Sequence, residues 1–243
     1  GDAAFRAQRN ALEQAQTALR RLAAQAHGEV LAQHQCWFGG GTCIALRHGE
    51  YRESVDIDFL VSDASGYREL RQMLTGTEGF APITRPGAVP LQLARDVRVD
   101  QYGIRTQVLM DGHAIKFEIV REARIELQTP APQDQICDIF TLTRLDLATS
   151  KLLANADRQA DDGVFSRDLI DLAMMDLSLP QLRAAVDKAT QAYGQAICRD
   201  LSKAIDRAEQ RVGWLDRCMQ AMAMQIPKAL LWQNIRKLRR LCK

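Results

Sequence analysis

With 243 residues, 47% hydrophobic and 26% charged, and only 15 Gly and 7 Pro, the chain can bury a substantial core and falls outside the disordered, collagenous and disulfide-dense classes. A formal net charge of +2 is too small to argue by itself for a nucleic acid or a membrane surface, and no apolar run approaches the roughly 20 residues a membrane span needs. Cys36, Cys43, Cys137, Cys198, Cys218 and Cys242 stand at scattered spacings without a C-x-x-C, so reduced, mostly buried thiols are expected; the start, Gly1-Asp2-Ala3-Ala4, lacks a signal-peptide profile, and a cytoplasmic location is expected.

Residues 4–26 are rich in Ala, Gln, Leu and Arg, and Leu12, Ala15, Leu19 and Leu22 form one apolar helical stripe. Cys36-Trp37-Phe38 reads as a short buried strand breaking at Gly39-Gly40-Gly41, with a helix over Thr42–Arg47. Between Ser54 and Val61 apolar residues alternate with Asp56 and Asp58 before becoming continuous, which predicts a strand with one wet edge and both carboxylates on one face. Tyr67–Leu74 reads as helix, and the Pro- and Gly-rich stretch Gly76–Pro90 as an irregular surface excursion, a candidate substrate loop. Ile104–Met110, an Asp111-Gly112 turn and Ala114–Val120 predict a hairpin. Pro130 and Pro132 mark a boundary, beyond which everything after Asp134 has helical period, with breaks near Gly163, Leu179-Pro180, Gly213 and Pro227. The reading is an α+β chain: a catalytic sheet-and-helix domain over 1–130, then a helical domain over 131–243.

From Arg199 onward eleven Lys or Arg stand against four Asp or Glu, a solvated helical face or a surface for phosphate-bearing partners. Two carboxylates at i and i+2 on a strand can share divalent cations about 4 Å apart, and hard oxygen ligands suit Mg²⁺ or Mn²⁺. The glycine turn lets backbone approach a phosphate, and Thr42 puts a hydroxyl near a helix N-terminus, where anions are favoured. The same glycines could simply permit a tight strand-to-helix turn. Glu118 alternates correctly to face the side of Asp56 and Asp58, as a third metal ligand or as a solvent-facing strand residue. Lys151, Asn155 and Arg158 share a helix face opposite Leu145, Leu152 and Leu153, either a solvated surface or a holder for a triphosphate. Asp168 and Asp171, at i and i+3, could orient Lys151 or Arg158, or cap and solvate their helix. Among Arg47, His48 and Arg52, the last is best placed to touch a phosphate, just before the Asp strand. His27, His34 and His113 form no ligand-spaced cluster, and G-x-S-x-G, H-E-x-x-H and Walker patterns are absent, which disfavours hydrolase, zinc peptidase and P-loop readings.

Gly40-Gly41-Thr42 through Ser54-Val55-Asp56-Ile57-Asp58-Phe59 resembles the glycine and D-x-D motifs of the polymerase-beta-like nucleotidyltransferases. Thr149-Ser150-Lys151-Leu152-Leu153-Ala154, then Arg158, then Arg167-Asp168-Leu169-Ile170-Asp171-Leu172, resembles the third and fourth motifs of the AbiEii/AbiGii nucleotidyltransferase toxin family. The resemblance implies a polymerase-beta-like catalytic sheet followed by a helical bundle, and an enzyme that uses a nucleoside triphosphate and Mg²⁺ to transfer a nucleotide to tRNA ends or other acceptors. A cognate antitoxin protein would be a partner; a membrane would not. By match, Thr42 would contact phosphate, Asp56 and Asp58 bind metal, Lys151 hold the triphosphate, and Asp168 or Asp171 supply the last acidic position. Two other readings stand beside this one. A small-molecule, antibiotic-type nucleotidyltransferase calls for an acidic pocket beside the Asp pair. An inactive fold kept as a binding module calls for a Glu118 that points away from it.

Overall fold

The computed structural model describes residues 17–243, together with Ala3 and Arg6. It divides into two compact units, one built from residues 1–43 and 54–142, the other from 44–53 and 143–243. The segment 131–142 therefore goes with the sheet, and the short stretch 44–53 goes with the helices.

In the first unit, helix α1 covers 17–25 and buries Leu19 and Leu22 of the expected stripe, along with Ala18 and Ala23; Leu12 and Ala15 lie outside the described residues. Helix α2 (Gly28–Gln33) leads into β1 (Trp37–Gly39), and α3 (Gly40–Arg47) begins at once, so the division between the units falls inside α3. The sheet continues with β2 (Asp56–Val61), β3 (Gln92–Leu93), β4 (Arg98–Val99), β5 (Gly103–Met110) and β6 (His113–Arg121). Its order is β1-β2-β6-β5-β3, with β4 also on β5; β2 and β6 run parallel and the other pairs antiparallel. The buried face carries Phe38, Phe59, Phe117 and Phe80 as a chain of ring contacts, centroids 5.6, 5.8 and 5.3 Å apart. These aromatics bury large areas and pack at offset angles, fixing the register that leaves alternate residues on the opposite face.

Helix α4 (Ala64–Leu74) starts where the Asp63 side chain accepts a hydrogen bond from the Gly66 amide, an N-cap worth about 1 kcal/mol. The excursion after it is less free than its composition suggests. Phe80 and Ile83 are buried, a 3₁₀ turn spans Ala81–Ile83, and the Arg85 amide donates to the Gln25 carbonyl.

Helical period after Asp134 is corrected by a small hairpin, β7 (Gln135–Ile136) and β8 (Ile139–Phe140). Its two-residue loop, Cys137-Asp138, has φ of 51° and 63°, the left-handed pair a tight primed turn demands. Neither residue is a Gly or Asn, so the usual turn signal is missing.

The second unit is helical: α5 (Arg144–Arg158), α6 (Arg167–Met174), α7 (Leu179–Tyr193), α8 (Ala196–Gln210), α9 (Trp214–Ala221) and α10 (Lys228–Lys237). Three of the four predicted breaks become helix starts, and the fourth, Gly163, lies in a 3₁₀ turn over Asp162–Val164. Gly213, at φ 72°, and Pro227 are N-caps, while Ser178 and Gln181 form a capping box that opens α7. Leu182, Ala185, Val186 and Ala189 of α7 are buried, as are Ile197, Leu201, Ala204, Ile205 and Ala208 of α8. One expectation about cysteine is overturned: Cys198 and Cys242 are joined by a disulfide across 44 residues, with Cα atoms 5.5 Å apart. The other four stand outside any disulfide, Cys137 exposed and the rest buried. Among the described residues no helix is long and apolar enough to cross a membrane.

Candidate active site

The sheet unit assembles the first group. Strand β1 pairs with β2 so that Gly39 lies opposite Asp58. Gly40 then turns the chain into α3 with φ 73°, and a Cβ at this position would lie 2.6 Å from Asp58 Oδ2. A glycine is required twice over here, by the left-handed backbone and by the carboxylate seated against it. Asp56 and Asp58 are half-buried on one face of β2, while Ile57 and Phe59 behind them are buried, the alternation the sequence predicts. Gly41 remains partly accessible at the start of α3. Thr42, expected to offer its hydroxyl to a phosphate, is 1% exposed, and its Oγ1 lies 2.5 Å from Ser54 Oγ. That hydrogen bond ties the glycine turn to the segment leading into the Asp strand.

Glu118 lies directly opposite Asp58 across the β2–β6 pairing and so shares its face. Its carboxylate is engaged by two cations, Lys116 Nζ at 3.1 Å and Arg105 Nε at 3.3 Å from Oε1. Among the described residues no three His, Cys, Asp or Glu side chains are gathered closely enough to hold a metal ion between them. The donors that suit a hard divalent cation are therefore the two β2 carboxylates, with Glu118 one strand away and ion-paired.

The helical unit assembles the second group. Lys151, 7% exposed in its side chain, puts Nζ 3.0 Å from Asp168 Oδ1 and 2.7 Å from Asp171 Oδ2. Arg158 donates from Nε and Nη2 to the two oxygens of Asp168, at 2.7 and 2.8 Å. Arg52 donates from Nε and Nη2 to Asp171, at 2.7 and 3.0 Å, and from Nη1 to the Glu53 carbonyl. The Tyr51 hydroxyl donates to Asp171 Oδ1 at 2.6 Å. Three cations thus surround two carboxylates, leaving the cluster with one excess positive charge.

The α5 face that carries Lys151, Asn155 and Arg158 is mostly buried. Lys151 and Asn155 are inside, and Asn155 Nδ2 is a buried donor with no hydrogen-bond partner among the described residues; Arg158, at 38% side-chain exposure, reaches solvent. Burial alone would raise the pKa of both carboxyls, but the neighbouring cations outweigh it. Lys151 and Arg158 hold Asp168 below the usual carboxylate range, and Lys151 and Arg52 hold Asp171 far below it. Burial and the Asp171 charge push the Tyr51 phenol well up, so it stays a donor. Tyr51 was missed in the sequence because a lone Tyr beside Arg52 carries no motif, and its acceptor is 120 residues away.

The turn before α6 is strained. Phe165 and Ser166 both take left-handed backbone, φ 54° and 51°, at a cost of order 1–3 kcal/mol each. Trp214 holds it closed: its ring stacks on Phe165 at 6.1 Å, and its Nε1 donates to Ser166 Oγ at 2.9 Å. The first turn of α6, carrying Asp168, is thereby aimed at α5. The pKa of His48, from the same unit, is lowered by partial burial and by Arg144 and Arg47.

Comparison with known proteins bears on the fold and the family. No curated protein matches the chain by sequence. In structure it is similar to JHP933 from Helicobacter pylori, TM-score 0.51 at 15% identity over 95% of this chain and 94% of that one. A second solved structure from H. pylori, described as a nucleotidyltransferase, gives 0.51 at 14% identity over 95% and 96%. MenT4, a nucleotidyltransferase toxin from Mycobacterium tuberculosis H37Rv, gives 0.48 at 15% over 94% and 82%, a likeness too slight to argue from. At these identities the likeness establishes the fold. Residues 17–236 match the family described as "Nucleotidyl transferase AbiEii toxin, Type IV TA system", and with most of its length inside that match the chain belongs to the AbiEii nucleotidyltransferase toxin family.

Proposed function

We propose that the chain transfers a nucleoside monophosphate from a nucleoside triphosphate to a hydroxyl of an RNA acceptor such as a tRNA end, with Asp56 and Asp58 holding Mg²⁺ or Mn²⁺. The observation that carries this reading is the seat of Asp58 on Gly40, where a Cβ would fall 2.6 Å from its carboxylate oxygen, with Asp56 beside it on the same face. A bound divalent cation supplies charge neutralisation at the phosphates and a lowered pKa for the attacking hydroxyl. The chain's own part is orientation. The Gly40-Gly41 turn gives close backbone access, and Thr42 locks that turn through Ser54.

In the helical unit, the excess positive charge of the Lys151, Arg158 and Arg52 cluster suits a triphosphate, and a phosphate oxygen would satisfy the buried Nδ2 of Asn155. Asp168 and Asp171 act by fixing Lys151 and the two arginines. Family membership supports a toxin role with a cognate antitoxin protein as partner. The test is pyrophosphate release from each nucleoside triphosphate with Mg²⁺ and tRNA. Release that needs both triphosphate and RNA is expected; release unchanged when RNA is omitted would overturn the RNA-acceptor assignment.

A further inference from the structure

The open face of the sheet carries a graded row of charge. Asp58 of β2 lies opposite Glu118 of β6, Glu118 opposite Arg105 of β5, and Arg105 opposite Arg98 of β4. Directly paired residues on adjacent strands share a face, and strands are about 4.8 Å apart, so Arg105 stands about 10 Å and Arg98 about 15 Å along the sheet from Asp58. Beside this row Lys116 lies opposite Asp56. A cavity of about 670 Å³ opens over this part of the sheet, lined among others by Arg95, Arg98, Arg105, Lys116 and Glu118.

The charges in the cavity are not equivalent. Glu118 is taken up by Arg105 and Lys116, and Arg105 also reaches Asp100 at 3.4 Å. Arg95 and Arg98 are exposed and have no ion-pair partner among the described residues. Four cations thus outnumber the lining acids Asp96 and Glu118, and two of the four have no acid of their own. A polar, open, cationic surface that begins one strand from the Asp pair suits an extended polyanion whose end is at the carboxylates. It does not suit a cationic small molecule, which would need the acidic pocket expected of an antibiotic-type enzyme.

We propose that this sheet face is the acceptor subsite: Arg95, Arg98 and Arg105 bind the phosphodiester backbone of an RNA strand whose terminal hydroxyl is presented to Asp56 and Asp58. The subsite rests on the nucleotidyl-transfer reading for its purpose but not for its binding chemistry. Arg95 and Arg98 bind phosphate without reading sequence, and Arg105 passes from Glu118 to phosphate or spans both. Glu118 is then a positioning residue that holds Arg105 and Lys116 on the face.

The experiment is fluorescence anisotropy of a short unstructured RNA oligonucleotide, with wild type, the double variant Arg95→Ala/Arg98→Ala, and a tail control Arg236→Ala/Arg240→Ala. Neither sheet arginine has an ion-pair partner among the described residues, so the double variant is expected to fold as wild type does. Binding by the sheet variant should weaken roughly tenfold, with the log-log salt slope shallower by about 1.4 for two lost phosphate contacts on a single strand. Transfer at saturating triphosphate should show a raised KM for RNA with kcat within about twofold. Unchanged RNA binding and unchanged KM in the sheet variant, or a loss confined to the tail control, would overturn the subsite. So would competition by a mononucleotide or by poly-glutamate as strong as by RNA, since the site would then take isolated phosphate or acidic peptide. If the sheet variant loses RNA binding while wild type transfers no nucleotide, the subsite stands and the transferase reading falls.

Discussion

Lys151 and Asp171 form a buried ion pair, Nζ to Oδ2 2.7 Å, and Asp171 also accepts from Arg52 and Tyr51. Three side chains therefore depend on one carboxylate that is fully buried. Removing it leaves two cations and a phenol without their acceptor inside the helical unit. Asp171→Ala is expected to cost about 3–5 kcal/mol of stability. Urea unfolding followed by circular dichroism measures it, and a cost below about 1 kcal/mol would show that the cluster relaxes into water.

Asp58 is different in kind. It is half-buried at the wet end of its strand, so Asp58→Asn should leave the melting temperature within a few degrees while lowering transfer by about 10²-fold or more. Gly40→Ala should fail by another route: the new methyl meets the Asp58 carboxylate and the backbone keeps φ 73°, so both stability and activity should fall. Thermal melts paired with initial rates separate the two cases.

Acid should loosen the helical unit in two stages. The His48 pKa is lowered, so the folded state binds fewer protons than the unfolded one; its contribution is complete above the ordinary histidine pKa near 6.5 and fades as pH falls through it. Asp168 and Asp171 are also lowered, so their larger contribution is present above the ordinary aspartate value near 3.9 and is lost as pH falls towards their folded values. Stability against pH should show both falls in wild type, and His48→Gln should remove only the upper one.

Trp214 closes the left-handed turn at Phe165-Ser166 and so aims Asp168 at Lys151 and Arg158. Trp214→Phe keeps the stacking and loses the hydrogen bond to Ser166, and about 1 kcal/mol of destabilisation is expected; Trp214→Ala should cost about 3–5 kcal/mol. Equal losses in the two variants would show that the indole N–H, not the ring, carries the turn.

The disulfide closes 44 residues between α8 and the C-terminal segment, and replacing both cysteines by serine should cost about 2–4 kcal/mol. An unchanged unfolding midpoint in dithiothreitol would contradict it.

Legibility in the sequence followed the range of each interaction. Strand β2 and the β5–β6 hairpin were readable because alternation and an Asp111-Gly112 turn are local signals. The Cys137-Asp138 hairpin lacked any such signal, since its turn uses residues that tolerate positive φ only under tertiary constraint. Asp58 and Gly40 could be named from spacing, yet the contact that makes them one feature comes from β1 pairing with β2. The polar face of α5 is mostly buried and its Lys151 and Arg158 pair with carboxylates of α6, and helical period cannot tell solvated charge from charge neutralised by a distant partner. The Cys198–Cys242 bridge depends on the same long-range closure, which scattered cysteine spacing does not encode.

The measurement that bears most directly on the central claim is incubation of wild type and Asp58→Asn with each labelled nucleoside triphosphate, Mg²⁺ and total cellular RNA. Label entering RNA with wild type and not with the variant is the predicted result, and it names the nucleotide. Label absent from RNA, or equal with the two proteins, would contradict the account.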